Sequence, residues 1–284
     1  MHPSSPGVDP EATEGADREA GRGSPIVDLD RPNAARMYDY YLGGSHNFAA
    51  DRAAADQAAR AMPELPQIMR AGRAFLRRAV RLLGANGVDQ FLDLGSGIPT
   101  AGNVHEIVQQ RNPEARVVYV DLDPIAVAYA ETILTGNDRV SAIQADLRDR
   151  DSIRRHPETR RLINFDRPVG LLLSAVLHFV PERDDPGAVV AGFRDLLPSG
   201  SYLVISHSTQ GGRPGSRMDS AQNVYRRTST PLTPRSYDQV AALFTGFELV
   251  EPGLVPVGEW RPEPDGDPAE LDNLAGLAGV GRKP

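Results

Sequence analysis

Three acidic side chains stand at the ends of apolar runs, where a parallel sheet would bring them together. Asp93 lies in QFLDLG, Asp121 in RVVYVDLD and Asp146 in RVSAIQAD. Carboxylates attract positive charge and accept hydrogen bonds from hydroxyl and amino groups. We assign Asp93 to a cationic tail, Asp121 to a pair of ribose hydroxyls and Asp146 to an adenine amino group. The three acids predict a ligand that carries adenine, ribose and an ammonium group but no phosphate.

The loop after Asp93 favours the same kind of ligand. Gly95 and Gly97 allow the backbone to approach a bound molecule closely. A dinucleotide-binding loop would carry a third glycine where this chain has Thr100, preceded by Pro99. An acid at position 93 also suits a pyrophosphate poorly. An NAD-dependent oxidoreductase is therefore disfavoured, although the loop alone could be an ordinary strand-to-helix turn.

Two of the nearby acids have structural interpretations. Asp123 directly precedes Pro124, which suits the first position of a helix, so Asp123 is predicted to be the N-cap and Asp121 the ribose ligand. Asp146 is as readily the N-cap of a following helix as an adenine ligand.

Alternating strand and helix patterns predict an α/β fold. Strands are expected at residues 90–95, 116–123, 139–146, 168–176 and 200–208, with two edge strands at 247–251 and 275–283. Helices are expected at residues 102–110, 124–134, 149–156 and 185–197, with two or three helices between 33 and 83 and helical structure within 216–245. The prediction is a Rossmann-like, seven-stranded, mostly parallel sheet with helices on both faces and an N-terminal helical cap.

Composition limits the classes of partner and chemistry. The net charge is −7, which predicts no general attraction to nucleic acid or to an anionic membrane. The sequence has no cysteine, so thiolate nucleophiles and sulfur-ligated metals are excluded. No apolar run of 18 residues and no signal peptide are visible, so a soluble, cytoplasmic protein without a metal site is expected. Residues 1–27 are predicted to be a disordered tail.

An ordered series of motifs between residues 88 and 257 resembles the class I S-adenosylmethionine-dependent methyltransferases. The motifs are FLDLGSGIP, VVYVDLDP, QADLRD, LLLSAVLHFVP and FRDLLPSGSYLVIS, with Pro99 where most members carry a third glycine. The segment 31–57, together with VLHFVP and GVGRKP, is similar to an actinobacterial family of uncharacterised S-adenosyl methyltransferases. Ser45-His46 and Gly72 depart from that family's pattern. We expect a helical cap at 28–87 and a methyltransferase catalytic domain at 88–284.

The resemblance also implies a cofactor, S-adenosyl-L-methionine, and positions for its parts. Asp93 and the backbone of Gly95, Ser96 and Gly97 would hold the methionine part. The ribose and adenine would contact Asp121, Leu122, Asp146 and Leu147, and the chain from Ser174 to His178 would line the floor near the sulfonium.

Methyl transfer to a small-molecule acceptor, at oxygen or nitrogen, is the activity that this reading predicts. The reaction is an in-line displacement, so the protein chiefly positions the nucleophile and excludes water. A general base is required only if the acceptor arrives protonated. His178 is the candidate base, with a purely structural histidine as the alternative; His207 and His46 are further candidates, and His105 is assigned a structural role. A protein that binds the cofactor or its demethylated product without catalysis remains the alternative function.

The helical cap is predicted to cover the cofactor. Tyr38 and Tyr41 lie one helical turn apart, and Gly43-Gly44 would break the helix and let backbone approach the ligand. We expect these residues over the methionine end, forming one wall of the acceptor pocket; a helix packed on the far side of the sheet is the alternative.

A second feature of this region is an arginine-rich helical face, interpreted as solvated and paired with carboxylates rather than as an RNA-binding surface. Its members are Arg70, Arg73, Arg77, Arg78 and Arg81.

Overall fold

The computed structural model describes residues 28–99, 102–209, 217–263 and 276–284. The tail predicted to be disordered, residues 1–27, lies outside this part of the chain, as does Thr100 in the first loop. The elements follow one another in the predicted alternation of strand and helix, and the α/β class is confirmed.

The strands form one mixed sheet in the order β3-β2-β1-β4-β5-β8-β6, with β7 also paired to β8. The first five strands are parallel, and β8 runs antiparallel to β5, β6 and β7. The strand bounds are β1 Gln90–Leu94, β2 Arg116–Asp121, β3 Val140–Gln144, β4 Gly170–Ser174, β5 Tyr202–Ser208, β6 Glu248–Leu249, β7 Val255–Pro256 and β8 Gly276–Arg282.

Helices cover both faces of the sheet because the strands bury side chains on both sides. The helix bounds are α1 Ala34–Tyr41, α2 Ala49–Ala61, α3 Leu65–Ala85, α4 Val104–Gln109, α5 Pro124–Ile133, α6 Arg150–Arg155, α7 Pro157–Leu162, α8 Pro186–Arg194, α9 Arg217–Tyr225 and α10 Tyr237–Ala242. In β2, Val117 and Tyr119 belong to the core beneath α3, α4 and α5, whereas Val118 and Val120 belong to the core beneath α6, α7, α8 and α10.

The carboxyl-terminal strands differ from the prediction in number and in place. Within the described part of the chain the sheet has eight strands, because the two-residue β7 pairs with β8 beside the predicted strand β6. The glycine-rich β8 is an inner strand and not an edge strand. A Cβ atom at Gly281 would lie 2.7 Å from Cβ of Phe247, and one at Gly279 would lie 3.0 Å from Cζ of Phe244. The glycines therefore make room for two phenylalanines that cover the strand.

From residue 28 onward, three helices precede the first strand, where two or three were predicted. α1, α2 and α9 share a small core that includes Met37, Ala55 and Ala221. A buried ion pair joins α1 to α2, with Nε of Arg36 3.0 Å from Oδ2 of Asp51. α3 belongs both to the predicted cap and to the sheet domain, because its residues from Phe75 to Leu83 pack in the core of the sheet. The division predicted at residue 87 therefore falls after a helix that is also part of the sheet domain.

Two predicted helical stretches are each divided. The helix expected at 149–156 ends at Arg155, and a separate α7 begins at Pro157, whose fixed φ suits the first position of a helix. The stretch 216–245 contains α9 and α10 with a non-helical connection at 226–236 between them. Among the described helices, none combines the length and apolar character that crossing a lipid bilayer requires.

Candidate active site

A cavity of about 750 Å³ lies at the carboxyl ends of the parallel strands, beneath α1 and α3. Its size falls within the roughly 300–1,000 Å³ of small-molecule sites. The predicted site residues that line it are Tyr38, Asp93, Gly95, Ser96, Gly97, Asp121, Leu122, Asp146, Leu147, Ser174 and His178. The sheet therefore brings these residues to one place, as an open parallel sheet does for groups at its strand ends.

The glycine loop after β1 requires glycine for two different reasons. Gly95 and Gly97 have φ values of +70° and +64°, in the left-handed region. At Gly95 a Cβ atom would also lie 2.1 Å from Cγ2 of Val176, so the loop after β4 fills the space that a side chain would need. The N–H groups of Gly95 and Ser96 donate to the carbonyl of Val120 at 2.7 and 3.1 Å, which ties the loop to β2.

Asp121 is positioned by the loops on both sides of it. Its Oδ2 accepts a hydrogen bond of 2.7 Å from the N–H of Gly97, and its Oδ1 accepts one of 2.9 Å from the N–H of Asp123. Burial raises the pKa of Asp121, and the two backbone N–H groups oppose the shift. Each carboxylate oxygen keeps a lone pair for a ligand hydroxyl. Asp123 is the N-cap of α5 as predicted, since its Oδ1 accepts from the N–H of Ile125 at 3.0 Å.

Asp93 is 5% exposed and lines the cavity. Burial raises the pKa of this carboxyl to about 7; the charge of Arg73 opposes the shift and that of Asp121 adds to it. A buried carboxyl group that faces a cavity in this way suits a cationic group on a ligand.

Arg73 is a site residue that the sequence grouped wrongly with the solvated arginines. It lines the cavity, and its guanidinium carbon lies 5.8 Å from the ring centroid of Tyr38. The other arginines of this helix point elsewhere: Arg78 donates to the carbonyl of Trp260 at 2.8 Å, and Arg81 pairs with Glu263 at 2.8 Å. Helical spacing could not separate Arg73 from the rest, because the face that meets the cavity depends on how α3 packs.

Asp146 lines the cavity while its carboxylate is already bound by Arg148. Nε of Arg148 lies 2.9 Å from Oδ1 and 3.0 Å from Oδ2, and the same guanidinium pairs with Asp184. The hydrogen bonds from Arg148 hold the pKa of Asp146 below its usual range. The interpretation of Asp146 as a helix N-cap is wrong, because Asp149 caps α6 by accepting from the N–H of Ser152 at 2.9 Å.

The segment after β4 lies beside the glycine loop. Ala175 adopts φ of +56°, which is strained for a residue with a side chain, and its N–H donates to the carbonyl of Ser206 at 3.0 Å. The hydroxyl oxygens of Ser174 and Ser206 are 3.0 Å apart. This path carries Val176 onto Gly95 and places His178 in the cavity wall.

His178 is a neutral, buried histidine. Its Nδ1 accepts a hydrogen bond of 3.2 Å from the N–H of Ser208. Burial lowers the pKa of His178 well below its usual range, and His207 and Arg235 lower it further. Because a neutral imidazole carries one proton and Nδ1 is the acceptor, the proton resides on Nε2. In this tautomer neither ring nitrogen has a lone pair available for a proton from a substrate, so the geometry does not favour the predicted role as general base.

A buried arginine that the sequence did not single out holds the segment that carries His178. Arg235 is 2% exposed and donates to the carbonyls of Leu177 and Val180 at 2.8 and 2.7 Å. It also pairs with Glu182 at 2.7 Å and lies 2.9 Å from Nε2 of His207. Its distance in sequence from the strand motifs explains why pattern analysis missed it.

The Gly43-Gly44 turn and Tyr41 do not reach the cavity, contrary to the prediction. The hydroxyl of Tyr41 donates to the carbonyl of Ala55 at 3.1 Å, within the core between α1 and α2. A Cβ atom at Gly44 would lie 2.0 Å from Oδ1 of Asp39. That carboxylate accepts from the N–H of His46 at 2.8 Å, so Gly44 accommodates a buried aspartate and not a ligand.

The first half of α1 does cover the cavity. Cβ of Ala35 is 3.8 Å from the position that a Cβ atom at Gly97 would take. A second segment closes over the same opening: Thr230 accepts from the N–H of Ala34 at 3.3 Å, and the N–H of Ser229 donates to the carbonyl of Pro32 at 3.1 Å. We refer to residues 31–34 and 228–230, which bind each other here, as the clasp.

The remaining predicted histidines have structural contacts. Nδ1 of His105 lies 2.8 Å from the hydroxyl of Tyr119, and the ring of His46 packs edge-on against that of Tyr129. Within the described residues, no group of three or more His, Asp or Glu side chains is arranged to hold a metal ion.

Comparisons with known proteins identify the family to which this chain belongs. A family model described as S-adenosyl methyltransferase matches residues 20–284. A crystal structure of a Thermobifida fusca YX protein, provisionally described as a methyltransferase, shares 40% identity, with a TM-score of 0.85 over 91% of this chain and 97% of that one. A DUF574 family protein from Streptomyces avermitilis shares 39% identity, with a TM-score of 0.84 over 90% and 100% of the two chains. Among proteins with curated functions, no match was found.

Proposed function

Because this chain belongs to the S-adenosyl methyltransferase family and is an S-adenosylmethionine-dependent methyltransferase, we propose that it methylates an oxygen or nitrogen atom of a small molecule. The observation that carries this proposal is the cavity itself. One part is lined by acids at the ends of β1 and β2, of which Asp93 is buried, and the other by apolar side chains beside β4 and β5. The two parts suit a cationic cofactor and an uncharged or anionic acceptor.

The acid-lined part fits S-adenosylmethionine. Asp93 is buried and faces the cavity, so it would hold the ammonium group, and the backbone of Gly95, Ser96 and Gly97 leaves room for the methionine chain. Asp121 would accept the ribose hydroxyls. Leu122 is 56% exposed although it is apolar, and together with Asp146 and Leu147 it would hold the adenine. The bound cofactor supplies an activated methyl group.

The acceptor would occupy the part of the cavity between α3 and the segment after β4. Apolar side chains line it, among them Leu65, Ile68, Met69, Phe179 and Tyr225. Burial of the acceptor among these residues excludes water and holds the nucleophile in line with the methyl group. Tyr38, whose hydroxyl donates to the carbonyl of Met69 at 3.3 Å, lies between this part and Asp93.

A small acceptor is favoured over a macromolecule because the cavity is covered. The clasp closes one side, and α1 and α3 lie above the strand ends. A nucleic acid or protein segment would have to displace these elements to reach Ser174 and His178. We therefore expect a compound that fits within the cavity.

The first experiment compares cofactors. Isothermal titration calorimetry with S-adenosylmethionine and with NAD should show binding of the former and not the latter. The full chain is then incubated with labelled S-adenosylmethionine and fractionated small-molecule extracts, and S-adenosylhomocysteine and labelled product are measured, with Asp121→Ala as control. Cofactor binding without transfer to any fraction would instead support the alternative of a non-catalytic binding protein.

A further inference from the structure

The two ends of the cavity differ in the charged groups that surround them. Asp93, Asp121 and Asp146 lie at the ends of β1, β2 and β3, where the cofactor would bind, and arginines such as Arg73 and Arg148 line the cavity beside them. At the other end, the buried guanidinium of Arg235 lies beneath the segment after β4, where it is paired with Glu182 and does not itself line the cavity. Its charge adds to burial in lowering the pKa of both His178 and His207, and we refer to this side as the positive end.

Neither histidine at the positive end is able to take a proton from a substrate. Nδ1 of His207 donates to the carbonyl of Ser208 at 2.7 Å, and its Nε2 accepts from Arg235 at 2.9 Å. Burial lowers the pKa of His207 to about 4. Nδ1 of His178 is occupied by the N–H of Ser208, and its Nε2–H, in a side chain that lines the cavity, makes no hydrogen bond to another described residue.

The other titratable groups around the positive end are also unsuited to act as a base. Burial raises the pKa of Tyr225 to about 12, and that of Tyr38 is raised by the same cause, so both phenols stay protonated. Glu182 is paired with Arg235, and Asp184, which also lines the cavity, is paired with Arg148. Asp93 lies with Arg73 at the opposite end, in the position assigned to the cofactor's ammonium group.

We propose that the acceptor is a planar, weakly acidic hydroxyl compound, a phenol or an enol, which binds as its oxyanion with Nε2–H of His178 as hydrogen-bond donor. This rests on the proposed function, because it names the substrate class of the same site. The rings of Phe179 and Tyr225, with centroids 6.3 Å apart and 35° between their planes, provide flat apolar surfaces for such a molecule.

The chemistry balances without a base. The phenol loses its proton to solvent before it binds. A lone pair of the phenolate oxygen then forms a bond to the methyl carbon while the carbon–sulfur bond breaks and its electron pair remains on sulfur. An anion and a sulfonium cation become a neutral methyl ether and a neutral thioether, and no proton is transferred in this step. Aliphatic alcohols do not ionise near neutral pH and would not be substrates.

The first test measures the ionisation of a bound probe. 4-Nitrophenol is titrated with the full-length protein saturated with S-adenosylhomocysteine, and the visible absorption of its phenolate is followed against pH. The bound probe should ionise at a pH lower by about one unit than the free probe, which corresponds to tenfold tighter binding of the anion. A probe that is bound as the neutral phenol, or is not bound, overturns the proposal.

Two variants separate the donor role of His178 from a role in packing. In His178→Gln the amide oxygen is able to accept from the N–H of Ser208 while the amide N–H donates, so most of the shift should remain. In His178→Leu the shift should disappear. Equal shifts in both variants would contradict the assignment of Nε2–H. If His178→Leu does not fold, the wild-type protein and His178→Gln still test the assignment of Nε2–H. Loss of the ionisation shift in His178→Gln would contradict that assignment too.

The second test compares acceptors of equal size. 4-Nitrophenol and 4-nitrobenzyl alcohol share a ring, but only the phenol ionises readily. The rate of S-adenosylhomocysteine formation should be at least tenfold higher with the phenol. Comparable methylation of the benzyl alcohol would overturn the proposal and leave the proposed function intact. Failure of the proposed function is recognised differently, by S-adenosylmethionine binding without transfer to oxygen or nitrogen acceptors of any acidity.

Discussion

The carboxylate of Asp121 accepts a hydrogen bond of 2.7 Å from the backbone N–H of Gly97, across 24 positions of the sequence. The bond joins the end of β2 to the loop after β1, so the acid assigned to the ribose also fixes the loop assigned to the methionine part. Asp123, two residues away, caps α5 instead. The two neighbouring acids thus make different contacts.

Replacing these two acids should produce different phenotypes. Asp121→Ala should lower S-adenosylmethionine affinity by about 2–4 kcal/mol, because charge-assisted hydrogen bonds contribute about 1.5–3 kcal/mol each and are not additive. Asp123→Ala is the matched control and should lower the free energy of unfolding by about 1 kcal/mol through loss of the N-cap. Calorimetry and urea denaturation measure the two effects. If Asp123→Ala loses the affinity instead, the ribose has been assigned to the wrong acid.

Cofactor affinity should depend on pH through Asp93. Burial raises the pKa of this carboxyl to about 7 in the free protein, and the ammonium group of the cofactor requires the ionised form. Affinity should therefore rise with pH, by up to about tenfold per unit, until it levels off above about pH 7. Calorimetry over a pH series checks this, and Asp93→Asn should give weaker binding with a flatter profile.

The same shift has the opposite consequence for the stability of the free protein. A carboxyl whose pKa is raised on folding stabilises the folded state fully below its unfolded pKa of about 3.9, and this contribution is lost as pH rises to about 7. As pH rises across this interval, the free energy of unfolding of the wild type should therefore fall relative to that of Asp93→Asn. A constant difference from about pH 4 to about pH 8 would show that Asp93 titrates normally.

Gly95→Ala should reduce cofactor binding for steric as well as conformational reasons. The new methyl group meets Val176 and the backbone has φ of +70°. Gly136→Ala is the matched control, because Gly136 has φ of +88° with open space around it, so only the left-handed strain of about 1–2 kcal/mol applies. The double variant Gly95→Ala/Val176→Ala should recover part of the lost affinity. No recovery would mean that the contact with Val176 is not the cause.

Tyr38 and Tyr41 should differ although they lie on the same helix. Tyr38→Ala should weaken cofactor or acceptor binding, because Tyr38 lines the cavity near Arg73 and Asp93. Tyr41→Ala should instead lower the unfolding free energy by about 3 kcal/mol, as expected for truncation of a large buried side chain. Urea denaturation and calorimetry of both variants decide. A Tyr41 variant of normal stability and weak binding would restore the original prediction.

The sequence by itself determined the order of the elements and the acids at the strand ends. Apolar runs buried on both faces, such as the one that ends at Asp121, require a parallel sheet between helices, and the carboxyl ends of parallel strands share one edge. Asp93, Asp121 and Asp146 therefore had to lie near one another. The capping role of Asp123 also followed from local chemistry, since a helix starting at Pro124 needs an acceptor directly before it.

Only the tertiary structure decided which other residues join them. Arg73 shares its helix with four further arginines, and the packing of α3 alone selects the one that lines the cavity together with Asp93. Arg235 reaches Leu177 and His207 across more than 25 positions, a contact that leaves no local pattern. Gly44 shows the same limit of sequence analysis. A glycine pair indicates that some group approaches the backbone closely, but not whether that group is a ligand or Asp39. Periodicity specifies which face of an element is buried, whereas the neighbour on that face is set by contacts distant in sequence.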